Sequence, residues 1–168
     1  MESTNGRSAT PEAEFIEASR VFLSEDYLPK LIYCVERMSD EDLWWRPNEI
    51  SNSAGNLILH LCGNVRQWIV SSIGGTEFLR NREAEFATRG PVPKAELLAN
   101  LKQAVADVDR VLASLGTERL LDRLRIQNYE VSTMQAVYHV VEHFSYHLGQ
   151  VLFIYKMRTA TDPRFYDL

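Results

Sequence analysis

Residues 138–156 read Tyr-His-Val-Val-Glu-His-Phe-Ser-Tyr-His-Leu-Gly-Gln-Val-Leu-Phe-Ile-Tyr-Lys. His139, His143 and His147, three of the chain's four histidines, recur here at every fourth residue. On an α-helix each such step is a rotation of about 40° and a rise of about 6 Å, so the rings form one slowly drifting stripe. With Val137 as the origin of a helical wheel, Val140, Val141, Phe144, Leu148, Val151, Leu152 and Tyr155 fall within about 60° of it. The histidines fall on the flank of that apolar face, at about 200°, 240° and 280°. They therefore sit where this helix meets a neighbour. Glu142, at about 140°, points away from them.

The fourth histidine repeats the arrangement. Ser51-Asn52-Ser53 supplies the N-cap of an earlier helix, which Gly74-Gly75 ends. Leu57, Ile58, Leu61, Val65, Trp68 and Ile69 share its apolar face, and His60 lies on the flank at about 240°. Asn56, Asn64 and Gln67 are its polar neighbours, whereas Cys62 points away from it and reads as a small core residue. Both helices thus carry histidine just off the apolar face.

The rest of the chain supplies two more helices and their connections. Residues 1–10 are small and polar and read as a disordered start. From Pro11 to about Met38, Val21, Ser24, Leu28, Leu31, Ile32, Val35 and Met38 share one face. Pro29 interrupts that pattern, which implies either a kink or a helix ending near Tyr27 and restarting. Ser39 ahead of three carboxylates caps a short turn that Pro47 stops. Residues 76–93 form a long charged connection, of a length that suits a functional loop or lid. Leu97, Leu98, Leu101, Val105, Val108, Leu112 and Leu115 define a third helix, ended by Gly116. Leu124, Ile126, Tyr129 and Val131 alternate as an extended stretch does, and Ser132 with Gln135 is a capping box that opens the last helix. Residues 159–168 read as a tail. Four amphipathic helices predict an all-α four-helix bundle over residues 11–158, with long connections between helices two and three and between three and four.

Composition excludes several classes of function. The 168 residues are 45% hydrophobic and 24% charged, with a net charge of −5. That is the make-up of one globular domain. An acidic surface disfavours nucleic acid as a partner. No apolar run approaches the ~20 residues of a membrane span, and the start has no signal-peptide core. Cys34 and Cys62 make no disulfide framework, so the expectation is a cytoplasmic protein with reduced thiols.

Neutral imidazole binds zinc, nickel, iron and copper through bonds of about 2.0–2.1 Å. Rings at the two ends of the stripe, about 12 Å apart along the axis, cannot share an ion through bonds that short. Either His139 with His143 or His143 with His147 forms the pair, and His60 is the third ligand. Three nitrogen ligands leave a coordination position open, which suits catalysis better than a closed structural site.

Leu43-Trp44-Trp45-Arg46-Pro47, Ser53-Ala54-Gly55-Asn56-Leu57-Ile58-Leu59-His60-Leu61 and His139-Val-Val-Glu-His143-Phe-Ser-Tyr-His147-Leu-Gly149-Gln150 together resemble the DinB/YfiT superfamily in order and spacing. The resemblance implies a DinB-like metalloenzyme built as a four-helix bundle, often a homodimer. It implies His60, His143 and His147 as the ligands of a divalent metal ion (zinc, nickel or iron), with His139 as a neighbour lining the pocket. Some members of the superfamily resemble thiol S-transferases. The expected function is accordingly hydrolysis or transfer of a low-molecular-weight thiol to a small-molecule substrate, with a metal-activated water or thiol as nucleophile.

Gln150 and Asn64 are candidate second partners of a ligand or of a bound water. Gly149 marks the close approach of another helix or of the pocket. Arg46 and Arg66 are candidate holders of an anionic substrate, and Tyr146 and Trp68 read as packing residues. The competing readings are a non-catalytic metal- or small-ligand-binding bundle, and a metal-free histidine network.

Overall fold

The structure, a computed structural model, describes residues 10–166. The start expected to be disordered lies outside the described residues except for Thr10, as do the last two residues of the tail. Thr10 Oγ1 accepts from the Ala13 amide and opens helix α1. This helix runs through Pro11–Val21, a π-helical stretch Phe22–Tyr27 and Leu28–Arg37. Neither a break nor a restart occurs at Pro29. The π-turn absorbs the proline, because the Leu28 amide bonds back five residues to the Leu23 carbonyl.

The extra residue in that turn also rotates the buried face relative to a regular wheel. Val21, expected on the core side, is 38% exposed, and Leu23 and Cys34 are buried with Leu31, Val35 and Met38. This corrects the face read from the sequence. The expected cap of the next turn is present: Ser39 Oγ accepts from the Asp42 amide at 3.0 Å and starts α2, Asp40–Trp44.

Helix α3 (Ala54–Val65, continued by a π-helical Arg66–Ser71) is the central rod. Ser53 and Asn56 form a full capping box at its start. Every residue of Ala54–Val65 except Leu59 is buried, because α3 packs against α5 and α6 and against the short α4, Arg82–Ala87. Helix α5 spans Lys94–Ala113, and α6 spans Thr133–Thr159 behind the expected Ser132–Gln135 capping box. The stretch that alternates in sequence is an antiparallel hairpin of β1 (Arg123–Ile126) and β2 (Tyr129–Ser132), with Gln127 at a φ of 56° in its turn.

Helices α1, α3, α5 and α6 are the bundle, and Leu31, Ile58, Leu61, Leu101, Phe144 and Tyr155 lie fully buried between them. Burial of each such side chain stabilises the fold by about 1.5–3 kcal/mol. The tail past α6 folds back on α1: Phe165 meets Tyr33 edge-on at 5.2 Å, and Lys30 Nζ donates to the Tyr166 hydroxyl at 2.8 Å. Among the described residues no helix is long and apolar enough to cross a membrane.

Candidate metal centre

Helix α3 carries His60 and α6 carries His139, His143 and His147, and the packing of these two helices brings their histidine flanks together. The His60 ring lies 5.1 Å from that of His143 and 5.0 Å from that of His147, while His143 and His147 are 4.4 Å apart. One ring nitrogen from each of these three falls within 4.8 Å of the others. His139 lies outside this group. Its ring stacks on His143 at 5.1 Å and covers Trp68 at 4.1 Å.

The nitrogen that each ring offers follows from what holds the opposite nitrogen. His147 Nδ1 lies 2.7 Å from Gln150 Oε1, an acceptor, so Nδ1 carries the proton and Nε2 keeps its lone pair. His147 Nε2 is buried and has no hydrogen-bond partner among the described residues. Leaving such an atom unsatisfied costs about 1–3 kcal/mol, so its isolation marks a place where a ligand of lone pairs belongs.

His60 Nδ1 lies 2.9 Å from Glu85 Oε2. Burial alone would raise the Glu85 pKa, but hydrogen bonds from Arg80 and His60 outweigh it and hold the carboxyl below its usual range. Glu85 Oε2, which only accepts, and Arg80 Nη2, which only donates and lies 3.0 Å away, both meet His60 Nδ1, and Nε2 is the nitrogen that faces His143. His60 Nε2 and His143 Nε2 lie 2.9 Å apart. Two nitrogens bound to one ion at about 2.1 Å are about 2.9–3.4 Å apart in octahedral or tetrahedral coordination, so this pair already has the right bite.

The stripe is held neutral. Burial, then the proximity of His147, His60, His139 and Arg80, pushes His143 down to about 3. Burial also lowers His139 and His147, the latter against the opposing hydrogen bond to Gln150. Neutral imidazole is the form that ligates metal.

Residues 76–93, expected as a functional connection, deliver the partners that sequence did not single out. Arg80 is almost wholly buried and grips Glu85 with two bonds of 2.7 Å, from Nε and Nη2, in the fork geometry of a strong guanidinium–carboxylate pair. Helix α4 presents Glu85, capped by Asn81 Oδ1 on the Ala84 amide. Gly63 of α3 leaves room for this pair: a Cβ there would overlap Glu85 Oε1. In sequence the segment is a run of mixed charges with no periodicity. Only its length pointed to a role.

Other expectations divide. Gln150 does hold a histidine, and Asn64 Nδ2 lies 3.4 Å from His139 Nε2. Arg46 instead ties α3 to the connection, bonding Asn56 Oδ1 at 2.6 Å and the Thr88 carbonyl, and Arg66 bonds the Asn100 carbonyl. The Arg46 guanidinium is thereby taken up by amide and main-chain oxygens, whereas Arg66 makes a single bond of 3.3 Å. Tyr146 is 59% exposed and is not a packing residue. An added Cβ at Gly149 would meet nothing within 4 Å; the glycine lines a cleft of about 670 Å³ with Gln150, Phe153 and Met157. Cys62 is buried, lies outside the histidine group and is pushed up to about 12 by burial, which makes it inert.

A four-helix bundle whose second and last long helices bring histidines together is a DinB-like fold, and its His60, His143 and His147 form a group that could hold a metal ion. The chain belongs to the family described as protein of unknown function (DUF1572), which matches residues 15–165. A conserved protein from Enterococcus faecalis superposes with a TM-score of 0.70 at 16% identity, covering 86% of this chain and 97% of that one. A DinB-like protein from Bacillus cereus ATCC 10987 does so at 0.67 and 17%, covering 94% and 99%. At these identities the likeness is one of fold. No curated protein matches the chain.

Proposed function

We propose that this protein is a divalent-metal-dependent enzyme of the hydrolase or thiol S-transferase type, with His60, His143 and His147 as ligands through Nε2. The observation that carries the reading is the buried, unpartnered Nε2 of His147, set beside the close pair of His60 and His143 nitrogens. A zinc, nickel or iron ion held there supplies Lewis acidity, which lowers the pKa of a coordinated water or thiol.

The chain's own residues do the rest. Gln150 fixes the His147 tautomer, and Glu85, held by Arg80, anchors the His60 ring at Nδ1. His139, Asn64 and Trp68 line a cavity of about 510 Å³ that opens on His60 and His143 and gives a small molecule access to the group. The DinB-like resemblance supports a low-molecular-weight thiol as co-substrate and a homodimer, and the two free cysteines support a cytoplasmic location.

The test is conjugation of small thiols to a panel of electrophiles by the metal-loaded protein, with hydrolysis of activated esters in parallel. Turnover in wild type and its loss in His147→Ala supports the reading. Equal turnover in the variant overturns it.

A further inference from the structure

The cavity over the histidines is charged on one side only. Arg80 and Arg82 line it, and no carboxylate appears among its lining residues. Arg80 makes two bonds of 2.7 Å to Glu85, so its charge is compensated. Arg82 has no ion pair among the described residues. Its guanidinium lies 4.9 Å over the Phe86 ring, and Phe86 lies 4.7 Å from the His60 ring. A free cation thus stands at the mouth, one aromatic ring away from the histidine group.

The cavity lining also has an aromatic part. Trp68 and Tyr129 face each other at 6.3 Å, and the hairpin that presents Tyr129 is fixed by Gln127 Nε2, which donates to Gln67 Oε1 at 2.7 Å. Gln67 Oε1 also accepts from Arg80 Nη1 at 3.0 Å, which ties the hairpin turn to the centre. Asn64, in the same lining, is 4% exposed, and its Oδ1 is buried without a partner. Turning the amide over only exchanges which of its two ends is free. A buried amide with one end unmet, lining a cavity of ligand size, is a ligand contact in waiting.

We infer that this cavity takes a small organic anion with a flat unsaturated body, its carboxylate paired with Arg82, its ring against Tyr129 and Trp68, and a polar group on Asn64. The inference deepens the reading of the metal centre and rests on it for the reaction, but not for binding. Guanidinium–carboxylate pairing discriminates charge, and the aromatic wall discriminates shape.

Benzoate and its neutral isostere benzamide are the probes, titrated calorimetrically into metal-loaded and metal-free protein, with metal content measured on the same samples. Wild type is expected to bind benzoate at least tenfold more tightly than benzamide in both forms. Arg82→Gln should abolish that preference while leaving benzamide binding and metal content unchanged. Tyr129→Ala should weaken both probes. Equal binding of the two probes, an unaltered preference in Arg82→Gln, or no binding of either overturns the inference. A preference that depends on Arg82 in protein unable to load metal upholds the anion site and removes the metal reading instead.

Discussion

Glu85 Oε2 lies 2.9 Å from His60 Nδ1, although 25 residues and a change of helix separate them. The carboxylate anchors the ring at Nδ1, so its loss should be felt at the opposite nitrogen. Glu85→Gln is expected to lower metal affinity about 10–100-fold while the protein remains folded. Competition with a chromogenic chelator measures it, and an unchanged affinity would show that the contact does not orient His60.

Arg80 gives a different outcome. Its removal leaves the Glu85 carboxylate buried beside a ring and without its main partner. Arg80→Ala should destabilise the fold by about 3–5 kcal/mol, the range for breaking a buried pair by deleting one member. Denaturant unfolding reads this directly, and a cost under about 1 kcal/mol would place the pair in the class of surface ion pairs.

Two glycines on histidine-bearing helices should respond with opposite signs. Gly149→Ala introduces a methyl into open space and removes backbone entropy from the unfolded chain, so it should stabilise by about 0.5–1 kcal/mol. Gly63→Ala drives its Cβ into the Glu85 carboxylate and should weaken both stability and metal binding. Destabilisation by Gly149→Ala would instead mean that a second subunit packs on this face.

Much of this was legible in the sequence, for identifiable reasons. The Ser132–Gln135 cap and the period of Val137, Val140, Phe144, Leu148, Val151 and Tyr155 are local signals, and α6 follows them. Placing His60 on the flank of α3 needed only the wheel, and the packed helices bring it to His143. The π-turn of α1 was not legible, because nothing in Phe22–Tyr27 marks where an extra residue enters a turn. Arg80, Arg82 and Glu85 were hidden for a different reason. Their partners are reached across space, and a charged segment with no periodicity reads as solvated whether or not one of its carboxylates is buried.

At the far end of α6, Asp42 Oδ1 accepts from Arg158 Nε and Oδ2 from the Ser39 hydroxyl, both at 2.7 Å. The Ser39 bond and then Arg158 hold the Asp42 pKa below its ordinary value. The folded state therefore binds fewer protons than the unfolded one near pH 4. The contribution is fully present above about pH 3.9 and is lost as pH falls through the lower folded value. Asp42→Asn should be less stable than wild type at pH 7 by about 1 kcal/mol, with the difference closing as pH falls through the lowered pKa of the folded carboxyl. A difference that stays constant across that window would rule out the ionised carboxylate as its source.

Chelation should leave the bundle standing. The buried side chains of α1, α3, α5 and α6 form a core that does not depend on an ion. Metal-free protein should keep its helical circular dichroism and lose only the linkage term, about 2.7 kcal/mol at a metal concentration one hundred times the Kd. Unfolding on addition of chelator would make the ion structural and argue against an open, reactive position.

The most direct test of the central claim is the metal content of protein purified without a histidine tag, measured by mass spectrometry of the elements beside the His147→Ala and His139→Ala variants. The account predicts about one divalent ion per chain in wild type and in His139→Ala, and loss of that ion in His147→Ala. Wild type that takes up no metal even when supplied with it, or His147→Ala that retains it fully, would contradict the account.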